Sequence, residues 1–235
     1  MFYTAPIKIE FNDDGLFIDE IKHPYSVRML SELDEVLLGD FHDKDDKPIY
    51  LMYRDVFKKS TLRFDITVIA SRILGKEYAR TYGHHHPIAE ANLSYPEVYQ
   101  VLFGEAKFIL QKTNPDKTTD VIITNAKEGD VLIIPSNYGH VTINTSDEKP
   151  LFLSNLVSTE FQSDYSQYKR NKGPAIFYTI DDIEQNTNYL IRNLERKEAK
   201  DINKKYGFVC KDLLNDFYHN PEKFEFLNKP SLLFK

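Results

Sequence analysis

Two residue types that often anchor a functional reading are nearly missing here: the 235 residues hold one cysteine, Cys210, and no tryptophan. A lone cysteine excludes an intrachain disulfide framework and a cysteine-rich metal site. No apolar run is long enough to span a bilayer, so a membrane role is not expected. The start, Met1-Phe2-Tyr3-Thr4-Ala5-Pro6, has neither the basic nor the apolar region of a secretory signal, and a cytoplasmic protein is the expectation. A basic excess is lacking too. The formal net charge of −6 argues against nucleic acid as a partner, although a local pocket can still be positive and take an anionic substrate. Internal repeats and low-complexity segments are absent. What is present is a core: 16 Phe, 15 Tyr and 41% hydrophobic residues suit one domain, or one domain with an appendage.

Along the chain, Ile7-Lys8-Ile9-Glu10-Phe11 alternates like an edge strand and ends in the Asn12-Asp13-Asp14-Gly15 turn. Ser31-Glu32-Leu33 reads as a short helix or turn, Asp40–Lys47 as a charged solvated loop, and Ile49–Tyr53 as strand. From Leu62 to Val157 strand follows strand, with turns at Gly104 and at Asn114-Pro115-Asp116-Lys117. Short strands at these intervals indicate a sandwich or barrel. After Tyr178 the pattern changes. Thr179 can cap a helix whose first turn carries Asp181 and Asp182, and Ile183, Leu190 and Leu194 share one helical face. This predicts helices over 180–205 and 208–219, with Phe224–Leu227 returning to a sheet. The expected division is 1–178 for a barrel with an N-terminal strand and helix extension, and 179–235 for a C-terminal helical segment and tail packed on it.

Three of the seven histidines stand together in Thr81-Tyr82-Gly83-His84-His85-His86. On a strand, residues i and i+2 share a face, so His84 and His86 point one way and His85 the other. Glu97 opens the next strand, and His140 comes from a strand further on. Three neutral imidazoles and a carboxylate form a metal set that leaves room for water or substrate, as a catalytic ion needs. Imidazole and carboxylate suit Fe, Mn, Zn and Ni alike, so one divalent ion per subunit of open identity is expected. Glu90 is the competing carboxylate. It precedes Ala91-Asn92-Leu93-Ser94, which reads as loop, whereas Glu97 leads into the strand Val98–Phe103.

Gly129-x5-Pro135-x-Asn137-x2-His140-x3-Asn144 resembles the second motif of the cupin family, with Asn137 where a glycine is usual. Asparagine is the side chain that best tolerates positive φ, so the turn survives. His84-x-His86 and Glu97-x6-Gly104 match the first motif with a lengthened gap. The gap, the Thr81-x-Gly83-His84-x-His86 run and Glu97-x-Tyr99 resemble one branch, the cupin-type glucose-6-phosphate isomerases. Ser26–Leu33, Pro48–Tyr53, Phe64–Val68 and Asp164-Tyr165 also look like branch segments, so the likeness covers roughly 24–170. It implies a mainly β fold, a cupin-like antiparallel barrel or jelly roll with a C-terminal helical appendage. It further implies a homodimer acting on a sugar phosphate, exchanging glucose 6-phosphate and fructose 6-phosphate. Metal ligands would be His84, His86, Glu97 and His140, with Glu97 and Tyr99 catalytic. Thr67, Thr81, Gly83, Tyr50 and Tyr165 would bind the sugar phosphate. Gly83, lacking Cβ, would let backbone approach the ligand. Proton transfer by Glu97 and a hydride shift both remain open. One active-site tyrosine of the branch is Val157 here, which leaves substrate breadth open. The alternatives are another metal cupin enzyme, such as a dioxygenase or other sugar-phosphate isomerase, and a non-catalytic sugar-binding cupin.

Overall fold

Alternation along the middle of the chain resolves into two sheets. The computed structural model describes residues 2–39 and 45–234, so residues 40–44 of the expected loop lie outside the described residues. The first sheet has six strands in the order Val131–Ile134, Glu97–Phe103, Leu151–Ser158, Leu62–Ile69, Pro48–Lys59 and Ser26–Met29. The second has four, in the order Gly139–Asn144, Glu105–Thr113, Thr118–Lys127 and Leu190–Glu198. Their inner faces meet where Tyr99 packs on Phe108, ring centroids 5.4 Å apart. The result is the mainly β, cupin-like barrel expected from the sequence.

Both sheets are also covered outside, which is why several strands read as continuous apolar runs rather than clean alternation. Every residue of Leu151–Ser158 is buried. Two buried glutamines tie the covering segments down. Gln100 Oε1 accepts from the Leu213 backbone N–H at 2.9 Å, and its Nε2 donates to the Lys211 carbonyl at 3.2 Å. On the other sheet, Gln111 Oε1 accepts from the Ala175 N–H at 2.8 Å, and its Nε2 donates to the Tyr189 hydroxyl at 3.2 Å. A buried side-chain amide persists where both ends are bonded, and here each bonds the backbone or side chain of a covering segment.

The C-terminal segment corrects the expectation of a helix over 180–205. Thr179 does cap: its Oγ1 accepts from the Asp181 and Asp182 N–H groups at 3.3 and 3.2 Å. The capped turn leads into the short strand Ile183–Gln185, and Leu190–Glu198 is then a strand lying parallel to Thr118–Lys127. Leu190 is 68% exposed, so the apparent apolar helix face buries little. An open sheet edge decides the conformation: Asp120 accepts two hydrogen bonds from Arg192 and one from Asn193 across the new pair. Among the described residues after Tyr178, α-helix is confined to Ala199–Lys205 and Leu213–His219, and Phe224–Leu227 lies in a 3₁₀ helix rather than a sheet.

The Ala199–Lys205 helix also closes the far edge of the first sheet. Asn203 Oδ1 accepts from the Ile133 N–H at 2.9 Å, and its Nδ2 donates to the Val131 carbonyl at 2.6 Å, so one side chain acts as the missing neighbouring strand. Asn203→Ala leaves both buried backbone groups unpaired. Urea denaturation should show a loss of about 3 kcal/mol; a loss below about 0.5 kcal/mol would mean that water replaces both bonds.

Candidate metal centre

Residues 81–86 cross between the two layers by pairing alternately on either side. The Thr81 N–H donates to the Thr142 carbonyl at 2.9 Å, and the Thr142 N–H donates to Thr81 Oγ1 at 3.0 Å. His84 and His140 exchange backbone hydrogen bonds at 3.2 and 3.0 Å, and His85 and Asp164 exchange two at 2.8 Å. The segment is two isolated bridges rather than a full strand, yet it keeps strand parity. His84 and His86 therefore converge, with Nε2 atoms 3.0 Å apart. His85 turns away and packs beside Tyr168, over Gly139, where any Cβ would collide with its ring.

Gly83 is required at its place by contacts within the protein. Its φ is +89°, and a Cβ would come within 2.5 Å of Tyr168 and 2.6 Å of Val141. The missing side chain lets the crossing segment lie flat on the second sheet. Asn137 adopts the positive φ expected of it, +71°, and holds Ser94 by two hydrogen bonds, Asn137 Oδ1 accepting from the Ser94 N–H and Ser94 Oγ accepting from the Asn137 N–H. The lengthened gap before Glu97 is a small hairpin, Ile88–Glu90 with Leu93–Ser94, turning through Ala91 and Asn92 at φ +45° and +64°.

Glu97 is 3% exposed, and its Oε2 lies 3.3 Å from His140 Nε2, 3.4 Å from His86 Nε2 and 4.0 Å from His84 Nε2. The ligand atoms of His84, Glu97 and His140 all lie within 4.8 Å of one another. Glu97 Oε1 is held by the Asn155 amide at 2.7 Å, while Oε2 is buried without a hydrogen-bond partner. Bonding between His86 Nδ1 and the Tyr95 carbonyl, 2.9 Å away, assigns the ring proton to Nδ1 and leaves Nε2 a lone pair facing the cluster. Tyr99 sits on the same strand face as Glu97, its hydroxyl 3.1 Å from His140 Nε2. Glu90, in contrast, accepts from the backbone N–H and hydroxyl of Ser231, at 3.0 and 2.7 Å.

Burial governs the electrostatics. It depresses His84 well below the ordinary imidazole range, helped by His140 and His86. It brings His86 down to about 4, against the pull of Glu97. Burial alone would raise the Glu97 carboxyl, but the facing His140 and His86 outweigh it and the net shift is downward. Tyr99 is pushed well above its usual range by burial and by Glu97, and stays protonated. Neutral imidazoles around an ionised carboxylate with an unpaired oxygen are a donor set that can hold a divalent cation.

Beside the cluster opens a cavity of about 380 Å³. Thr67, Thr81, Gly83, Tyr50 and Tyr165 all line it, together with Val157. Thr81 Oγ1 already accepts from Thr142, so its own proton is free to donate into the cavity. The Tyr165 ring lies 5.7 Å from His84 and 5.3 Å from Tyr82, edge to face with the latter. Sequence reasoning missed Asn155, Phe161 and the charged wall of Arg54, Arg63 and Asp65. The polar pair Ser154-Asn155 inside an otherwise apolar strand was a readable signal for the first. Phe161, which packs on His86 at 4.4 Å, follows that strand in a loop with no pattern to flag it.

Residues 44–195 match the family model "Glucose-6-phosphate isomerase (GPI)". The chain belongs to the glucose-6-phosphate isomerase family. Its relatives include the glucose-6-phosphate isomerase of Pyrococcus furiosus, 30% identical over 159 residues, which are 65% of this chain and 79% of the relative. That of Thermococcus litoralis is 28% identical over 172 residues, 70% of this chain and 85% of the relative. Among solved structures, a cupin 2 conserved barrel domain protein from Rhodopseudomonas palustris overlaps 50% of this chain and 63% of its own, with TM-score 0.34 and 11% identity. The match to the isomerase family model contains His84, His86, Glu97, His140 and the cavity residues from Tyr50 to Tyr165, but stops before Asn203 and the helix that closes the first sheet.

The depressed imidazoles make stability pH-dependent in a stated direction. His85 and His86 titrate near 4 when folded and near 6.5 when unfolded, so the unfolded chain takes protons first as pH falls. In chelator-treated protein their contribution is complete above pH 6.5 and is lost between 6.5 and about 4. Melting temperature should decline steadily across that window; a flat profile would mean that these rings titrate normally.

Proposed function

We propose that this chain is a metal-dependent aldose–ketose isomerase that interconverts glucose 6-phosphate and fructose 6-phosphate. The observation that carries the reading is the juxtaposition of the His84–His86–Glu97–His140 cluster with a cavity lined by hydroxyls and a glycine amide. His84, His86, His140 and Glu97 would hold the ion, which would polarise the adjacent oxygens at C1 and C2 of the sugar. Glu97 is the base: Oε2 takes the C2 proton of the aldose while the O2 hydroxyl proton passes to O1, and the carboxyl, its proton exchanging with solvent, then protonates C1 to give the ketose. Asn155 steadies Glu97 through Oε1, so the reactive oxygen stays fixed. Tyr99, protonated at neutral pH, donates toward the same place and orients base or substrate. Thr67, Thr81, Gly83, Tyr50 and Tyr165 bind the far end of the sugar phosphate. Iron, manganese, zinc and nickel all suit the donor set. A cytoplasmic homodimer, expected from the resemblance, belongs to this reading, and light scattering of the purified protein checks the dimer.

Protein purified without chelator should contain one divalent ion per chain and interconvert the two sugar phosphates. His84→Ala, His86→Ala and His140→Ala should each lose ion and activity with the fold retained, while His85→Ala keeps its ion. With the ion saturated, Glu97→Gln should cost about 10²–10⁴ in turnover and Glu90→Gln less than about twofold, because Glu90 is engaged by Ser231. Turnover in D₂O should place deuterium in the product. A fully active Glu97→Gln, or product without deuterium, would remove Glu97 as the base and leave a direct hydride shift.

A further inference from the structure

Four charged side chains line the cavity besides the histidines: Arg54, Arg63, Asp65 and Glu97. Three are committed. Glu97 faces the imidazoles and Asn155, and Arg63 Nε donates to Asp65 Oδ2 at 2.9 Å. Arg54 is exposed and makes no ion pair among the described residues; its Nη2 rests 3.3 Å from the sulfur of Met52. We propose that Arg54 receives the phosphate of the substrate and sets selectivity for phosphorylated over neutral sugars. This rests on the reading of the cavity as a sugar-phosphate site.

The position is built into the backbone. In the Pro48–Lys59 strand, residues 54–56 bulge between Tyr53, paired with Ile66, and Phe57, paired with Phe64. Bulges re-aim side chains beside binding sites. This one is pinned at three points: Asp55 takes φ +56°, its N–H donates to Asp65 Oδ1 at 2.9 Å, and His23 Nε2 bonds the Arg54 carbonyl at 2.7 Å. The Arg54 side chain folds back over Met52, and Met52 stands opposite Thr67 in register. The guanidinium therefore overhangs the floor on which Thr67 lies. The hydroxyl and amide donors of the cavity are all neutral. A phosphate monoester carries about −1.5 to −2 charge at pH 7, and removing it from water without a facing cation is costly. Charge-assisted guanidinium–phosphate hydrogen bonds, with two parallel donors, supply what the neutral donors lack.

The test uses the full chain loaded with its ion. Sorbitol 6-phosphate, which has no carbonyl to isomerise, is titrated calorimetrically, and KM and kcat are measured for glucose 6-phosphate. Arg54→Gln should weaken sorbitol 6-phosphate binding by about tenfold or more and raise KM in parallel, with kcat changed by less than about threefold. Arg54→Lys should recover most of the loss, and Arg192→Gln, on the distant Leu190–Glu198 strand, should alter neither. Unchanged binding in Arg54→Gln, a loss confined to kcat, or Arg54→Lys as impaired as Arg54→Gln would each overturn the proposal. Wild-type protein that binds sorbitol 6-phosphate through Arg54 but does not isomerise glucose 6-phosphate would overturn the isomerase reading and leave the Arg54 assignment standing.

Discussion

A carboxylate 3% exposed, with one oxygen bonded by Asn155 and the other facing three imidazoles, constrains everything around it. Removing an ionised carboxylate from water is costly unless its charge is met. The imidazoles meet it only in part, because burial holds His84 and His86 below protonation. A cation held between these groups would resolve both problems together: it would balance the carboxylate and use imidazole lone pairs. The rest of the barrel can be seen as the apparatus that brings four side chains from three separate stretches to one point.

That apparatus works because each element contributes through backbone pairing rather than through a flexible side-chain reach. His84 and His86 are aimed by alternate bridges to His140 and Asp164, Glu97 by its place at the start of a strand, and His140 by the edge of the second sheet. Gly83 is the point at which the crossing segment is pressed onto Tyr168 and Val141. A side chain there would lift the segment off the sheet and displace both histidines. The covering segments matter for the same reason. By burying part of the outer face of each sheet they turn these barrel walls into fixed surfaces, and rigid elements position a site better than loops do.

Much of this convergence can be read from the sequence because it rests on parity and motif spacing. His84 and His86 share a face by period two, Glu97 and Tyr99 likewise, and a positive φ at Asn137 follows from the kind of residue that stands there. What resisted reading depends on partners remote in sequence. The Leu190–Glu198 stretch carries a helical spacing of leucines, but an open edge at Thr118–Lys127 recruits it as a strand, and Asp120, Arg192 and Asn193 fix the register. Phe161 reaches His86 from a loop without periodicity. Asn203 looks like an ordinary polar helix residue until the bare edge of Val131–Ile134 is beside it.

Arg54 shows the same limit from the other side. Simple alternation puts Tyr50, Met52 and Arg54 on one face but does not fix where the guanidinium comes to rest. The bulge at 54–56 begins at Arg54, and it is held by Asp65 on the neighbouring strand, which bonds the Asp55 N–H with one oxygen and Arg63 with the other. Asp65 thus performs two tasks at once: it pairs with one guanidinium of the wall and, through the backbone, positions a second with which it makes no ion pair. A wall with two arginines and one aspartate then carries one more positive than negative charge, and Arg54 is the arginine of the two without an ion pair among the described residues. Selectivity for an anionic substrate can arise in this way inside a chain whose formal net charge is −6, because the field within a narrow cleft follows the few groups that line it rather than the sum over the surface.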